Sequence, residues 1–183
     1  MMSVIVPLAE GFEEIEGVTI IDVLRRAGIG VTSVFLEKNP VIGSHSIAVT
    51  ADKSIDEIRS SDFDCIVLPG GMPGSSNLKA DARVIGLVKE FAGSGKMTAA
   101  LCAAPLVLGY AGVLAGKQAT CFPGFEEQMT GATAVPDPVV RDGQVITGKG
   151  PGCAIPFALE LVKALAGADK ARELSESMQV YWM

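Results

Sequence analysis

Apolar positions along the chain fall into short continuous runs that alternate with stretches of helical spacing. Ser3 to Leu8 (SVIVPL), Ile29 to Leu36, the run DFDCIVLPGG over residues 62 to 71, and Met97 to Leu101 are all of strand length. Continuous rather than alternating hydrophobicity is what strands covered on both faces of a parallel sheet require. Between them the spacing predicts a helix from Glu13 to Arg26-Ala27-Gly28, with acids in its first turn, arginines in its last and a glycine stop. Further helices are predicted over Asn77 to Phe91, over Ala154 to Leu165 with Ile155, Ala158, Leu159 and Val162 on one stripe, and from Asp169 to about Met178.

Shorter signals fill the gaps. A turn at Asn39-Pro40 followed by the alternating run Ser46 to Thr50 predicts a hairpin-like excursion, and Ser54-Ile-Asp-Glu57 is a capping-box pattern. Gln118 to Cys121 fits a short strand, and Val139 to Ile146 a hairpin turning at Asp142-Gly143. Terminal Tyr181-Trp182 fits docked packing better than a site. Strands alternating with helices imply one mainly parallel α/β domain spanning residues 1–183.

One corner of this pattern carries chemistry. Cys102 lies between the apolar run Met97–Leu101 and a helix that Pro105 opens, so it occupies a strand-to-helix turn kept uncrowded by alanines at 99, 100, 103 and 104. Hydrolase nucleophiles sit in turns of this kind, although their flanking glycines are missing here. A thiol at a helix N-terminus faces unpaired amides, which favours the thiolate; the alternative is a small buried hydrophobe.

Glu16 shares a helical stripe with Ile20, Val23 and Ala27, which puts a carboxylate on an apolar face, where it must find a partner or take up a proton. Glu13 and Glu14 read instead as solvated first-turn acids. The first helix starts at the carboxyl edge of the sheet, where open α/β folds place ligands, and Cys102 ends its own strand at that edge. Gly70-Gly71, just past a strand end, would let amides approach a ligand or an oxyanion.

Composition narrows the function. Among 183 residues, 49% are hydrophobic and 20% charged, and a net charge of −6 without a basic cluster argues against nucleic acid or an anionic membrane as partner. No apolar run approaches the roughly 20 residues of a spanning helix and no signal sequence is evident, so a cytoplasmic protein is expected. The cysteines at 65, 102, 121 and 153 form no CxxC pair, so neither a zinc site nor a disulfide framework is expected. Gly148-Lys-Gly-Pro-Gly152 lacks Walker spacing, and no cofactor is expected.

The segments Ala9 to Glu16, Val67 to Gly71 and Ala99 to Pro105, in that order and spacing, closely resemble the ThiJ/PfpI superfamily, in particular the branch of the parkinsonism-linked redox protein and its small bacterial relatives. Asp22 to Gly28 and Gly148 to Gly152 look like family segments as well, so the likeness runs nearly end to end. It implies a flavodoxin-like three-layer sandwich, often dimeric, with Cys102 as the reactive cysteine and Glu16 as the acid that hydrogen-bonds its sulfur. Amides of Gly71 and Ala103 correspond to the oxyanion pocket, and His45 to a segment that lies near the partner's pocket in a dimer. Many members carry a histidine before a proline near the cysteine; this chain has Phe122-Pro123, and its one histidine is His45. Peptide hydrolysis, which needs a base to activate the thiol and protonate the leaving amine, is therefore disfavoured.

Two functional readings follow. In the first, a cofactor-free homodimeric enzyme acts on reactive 2-oxoaldehydes, as a glyoxalase or deglycase, through a Cys102 hemithioacetal with a protonated Glu16 as proton shuttle. In the second, Cys102 is a peroxide sensor in a protective or chaperone-like protein and is oxidised to sulfinic acid held by Glu16. Both lead to the expectation that replacing Glu16 with leucine raises the thiol pKa or removes selective oxidation. Cys121 could act as a resolving thiol, and a packed strand cysteine is the alternative. A role in thiamine precursor synthesis has no phosphate-binding or nucleotide signature in the chain.

Overall fold

The computed structural model describes residues 2–181. In chain order its elements are β1 (Ser3–Leu8), α1 (Glu14–Arg26), β2 (Gly30–Phe35), β3 (Val41–Ile42), β4 (Ala48–Val49), β5 (Lys53–Ser54) and β6 (Cys65–Leu68). Then follow α2 (Gly74–Ala80), α3 (Ala82–Gly93), β7 (Met97–Leu101), α4 (Pro105–Tyr110), β8 (Gln118–Ala119) and β9 (Thr133–Ala134). The chain closes with β10 (Val139–Asp142), β11 (Val145–Gly148), α5 (Ala154–Ala166) and α6 (Ala168–Ser177).

Seven strands form one sheet in the order β10-β11-β7-β6-β1-β2-β5, parallel except where β10 pairs with β11. The continuous apolar runs explain its centre: Val4 to Val6, Cys65 to Leu68 and Ala99 to Leu101 are fully buried, as strands sandwiched between helices must be. Helices α1 and α5 pack on each other and carry α6, while α2, α3 and α4 form a second group against β6 and β7. Phe12, Phe91 and Phe157 are fully buried core anchors; truncating one to alanine is expected to cost about 3–5 kcal/mol.

Several boundaries differ from expectation for local reasons. The helix expected over Asn77–Phe91 is two helices broken at Asp81, whose backbone is extended and whose side chain accepts from Arg83 N at 2.8 Å to cap α3. The terminal helix is capped by Gly167 at φ +95° rather than by Asp169, which sits in the first turn paired with Arg172. The β10–β11 turn is Gly143-Gln144, because Asp142 still pairs with Val145. On α5 the buried stripe takes in Phe157 and Leu161, while Ile155 is partly exposed. The capping box is realised: Glu57 accepts from Ser54 N and Ser54 Oγ from Asp56 N. Tyr181 is solvent-exposed, and Trp182 lies outside the described residues.

The hairpin of β3 and β4 stands apart from the main sheet, and its tip folds over the start of α1. Ser44 N donates to Phe12 O and Gly11 N to Ile42 O, both at 2.8 Å. These bonds fix the turn between β1 and α1, and with it the position of Glu16.

Candidate active site

Cys102 follows β7 directly, with a left-handed backbone at φ +61°. A non-glycine residue there costs of order 1–3 kcal/mol and persists only if its surroundings over-determine it. They do: Cys102 N donates to Gly148 O at 2.9 Å, and Cys102 O accepts from Phe122 N at 2.8 Å. Ala99, Ala100, Ala103 and Ala104 are all buried around this corner, where larger side chains would collide.

The turn after β6 closes the other side. A Cβ on Gly70 would sit 2.6 Å from Cys102 Cβ and 2.8 Å from Glu16 Oε2, so only glycine fits. Gly71 follows at φ +88°. The amides of Gly71 and Ala103 flank the Cys102 thiol closely enough to favour its thiolate, against the effect of burial. The residues expected to meet at this sheet edge therefore do meet.

Glu16 is fully buried on α1, with Oε2 accepting from Gly70 N at 2.7 Å. Its other oxygen is buried and has no hydrogen-bond partner. Burial pushes this carboxyl up to about 7, against the opposing pull of the Gly70 amide and the Cys102 thiol, with a smaller upward push from Glu13. The Glu16–Cys102 pair falls short of strict hydrogen-bond geometry, yet each group influences the titration of the other.

The thiol departs from expectation. Burial, with Cys102 only 7% exposed, pushes it up to about 12, and the charge of Glu16 pushes the same way, against the amides of Gly71 and Ala103. Helix α4 has only six residues, so its dipole is too short to offset desolvation. At rest the sulfur is a thiol, and a proton acceptor must accompany its attack.

Glu13 and Glu14 are also not solvated, contrary to the sequence reading. Both are buried, because the hairpin tip covers them. Glu14 Oε1 accepts from His45 N at 2.7 Å and Ile47 N at 3.3 Å, and Oε2 from His45 Nδ1 at 2.9 Å. Burial raises the Glu14 pKa, but these bonds outweigh it and hold the carboxyl at about 2. The exposed His45 ring is raised in turn, chiefly by its bond to Glu14, and sits on this carboxylate of its own chain. Atoms of Glu13, Glu14 and His45 lie within 4.8 Å of one another, close enough for metal ligation, but Glu14 is already occupied by protein donors. No sequence signal pointed to this cluster, since the contacts join residues about thirty apart.

The remaining cysteines are elsewhere. Cys65 is buried in β6. Cys121 is buried and lines a cavity of about 440 Å³ with Glu126, Met129 and Lys149, a cavity that Cys102 does not border. Burial pushes the Cys121 thiol up to about 11. Cys153 is partly buried at the start of α5. A larger cavity of about 530 Å³ beyond the ends of β1 and β2, lined by Leu8, Glu10, Leu36, Lys38 and Asn77 among others, is bordered by neither Cys102 nor Glu16. Among the described residues, no helix is long and apolar enough to cross a membrane.

Comparison with known proteins agrees with this geometry. The chain is 42% identical to protein DJ-1 homolog A of Arabidopsis thaliana over 94% of its length, while spanning only 45% of that longer relative. It is 38% identical to the glutathione-independent glyoxalase DJR-1.2 of Caenorhabditis elegans, over 90% of this chain and 89% of that one. Among solved structures, oxidized Toxoplasma gondii DJ-1 superposes with a TM-score of 0.95 at 35% identity, covering 100% of both chains. The DJ-1/PfpI family description matches residues 2–164. The chain belongs to the DJ-1/PfpI family.

Proposed function

We propose that the protein is a cofactor-free glyoxalase that converts small 2-oxoaldehydes to 2-hydroxy acids through a covalent adduct on Cys102. The observation that carries this reading is a fully buried carboxyl, poised near pH 7, that shares the Gly70 turn with the Cys102 thiol. A proton-transfer group works best when its pKa lies near the working pH, and Glu16 meets that condition. A relative named a glutathione-independent glyoxalase is similar over most of both chains.

The chemistry runs as follows. The ionised Glu16 carboxylate takes the thiol proton as the sulfur bonds to the aldehyde carbon, and the carbonyl oxygen becomes an oxyanion within reach of the Gly71 and Ala103 amides. Glu16 returns that proton to the oxyanion, which gives the hemithioacetal and restores the carboxylate. The carboxylate then takes the C1 hydrogen as a proton to give an enediol. Glu16 delivers the proton to C2, and the C1 hydroxyl proton passes to the C2 oxygen, leaving a 2-hydroxy thioester on Cys102. Water cleaves the thioester to the 2-hydroxy acid and the free thiol, so aldehyde plus water equals product. Without a histidine at Phe122, Glu16 is the group that performs these transfers. The test is lactate formation from methylglyoxal, with lactate detected directly and Cys102→Ser as control; lactate at background in both would overturn the reading.

A second reading draws on the same atoms. Peroxide would oxidise Cys102 to the sulfenic and then the sulfinic acid, whose oxygens meet the Gly71 and Ala103 amides and the unpartnered oxygen of a protonated Glu16. Selective sulfinic acid at Cys102 without lactate production would favour it. We also infer a homodimer in which Ile15 and Val18 on α1 and Ile47 on the adjoining hairpin, all large and exposed, are covered by a second copy.

A further inference from the structure

We propose that Phe122 forms an apolar wall beside Cys102 and selects 2-oxoaldehydes bearing an aryl or bulky apolar substituent over methylglyoxal. The proposal rests on the glyoxalase reading for its substrate class and on Phe122's surroundings for its direction. Phe122 is tied to the reactive residue by backbone, its N–H donating to Cys102 O at 2.8 Å. Its ring lies against Gly150, where an added Cβ would come within 3.3 Å, and Gly150 is two residues beyond the Gly148 carbonyl that accepts from Cys102 N. The ring thus stands between the two backbone segments that bond to the Cys102 main chain.

A large aromatic side chain next to such a site would ordinarily be packed away, yet Phe122 keeps 43% of its surface exposed. Phe125 meets it edge-on at 6.5 Å between centroids, which fixes the ring without covering it. Glu16, the titratable group that acts on Cys102, belongs to α1 and is fully buried, whereas Phe122 is exposed on the segment that follows β8. A substituent leaving the adduct on the Phe122 side meets an exposed apolar ring face, with the charges of Glu126 and Lys149 on neighbouring residues. An aryl group gains stacking and buried area there that a methyl group cannot provide.

The experiment measures two ratios in the wild type, Phe122→Ala and Phe122→Tyr. The first is kcat/KM for phenylglyoxal over methylglyoxal, with the acid products detected directly. The second is the rate of Cys102 alkylation by N-phenyl iodoacetamide over iodoacetamide, which needs no turnover. Both ratios are expected to fall by roughly three- to tenfold in Phe122→Ala and to stay near wild type in Phe122→Tyr. An alkylation ratio unchanged in Phe122→Ala overturns the wall, and a changed alkylation ratio with an unchanged aldehyde ratio overturns the selectivity. If no variant turns over either aldehyde while the alkylation ratio still follows Phe122, the wall stands and the glyoxalase reading falls.

Discussion

The Gly70 amide donates to Glu16 Oε2 at 2.7 Å, a bond that joins residues 54 positions apart. It anchors one oxygen of a fully buried carboxyl and leaves the other buried without a hydrogen-bond partner. The same Gly70 lacks the side chain that would collide with Cys102.

Replacing Glu16 with glutamine keeps the shape and removes both the base and the charge. Because that charge pushes the thiol up, Glu16→Gln is predicted to lower the Cys102 pKa and speed its alkylation above pH 7, where the wild-type carboxyl is ionised. Turnover should fall by about a hundredfold or more despite the more reactive thiol. Alkylation and product formation measured across pH on the same preparation check both halves. The sequence leads to the expectation that losing Glu16 raises the thiol pKa or removes selective oxidation. Its first half reverses sign above pH 7, because the carboxyl expected to stay protonated ionises there and its charge opposes the thiolate.

Turnover in the wild type is predicted to rise as pH passes through about 7, as the Glu16 carboxylate forms. Stability runs the other way at this residue. Between its ordinary 4.5 and about 7 the folded chain holds a proton that the unfolded chain has lost, so the Glu16 contribution declines as pH rises. Glu14 behaves oppositely: held at about 2, its contribution is full above 4.5 and is lost as pH falls toward 2. Urea midpoints of Glu16→Gln and wild type from pH 4 to 8 should converge at the acid end.

Glu14→Gln keeps one oxygen for the His45 and Ile47 amides but replaces the oxygen that meets His45 Nδ1 with an NH2 donor and removes the carboxylate charge. A loss of about 1–3 kcal/mol is predicted at neutral pH. Faster amide exchange at the hairpin tip, over residues 43–47, should accompany it.

Gly70→Ala is predicted to abolish product formation even if the chain folds, because the added methyl occupies the space between Cys102 Cβ and Glu16 Oε2. Thermal unfolding monitored alongside activity separates loss of the site from loss of the fold.

Ile15→Asp combined with Val18→Asp should convert a dimer to monomers in light-scattering chromatography. Unchanged mass would show that these exposed side chains do not meet a second copy.

Much of the fold was legible because its strands are continuous apolar runs and its helices carry clear stripes. Glu16 was legible for the same reason, as a carboxylate out of place on the face of Ile20 and Val23. The helix break at Asp81 was not, since an aspartate inside an apolar-periodic run reads as helix until its side chain is seen to cap α3. The break before the last helix was legible, but its cap is Gly167 rather than Asp169. Glu13 and Glu14 were misread because first-turn acids are normally solvated; only the hairpin packed above them makes them buried. The protonated thiol escaped notice because a turn sequence reveals a nearby helix end but not the depth of burial around it.

The most direct test of the account follows Cys102 by mass spectrometry during a single turnover of methylglyoxal in the wild type and in Glu16→Gln. The account predicts a substrate-mass adduct on the Cys102 peptide that decays in the wild type as lactate appears and accumulates without lactate in Glu16→Gln. Lactate formed with no adduct at Cys102, or at equal rates in the two proteins, would contradict it.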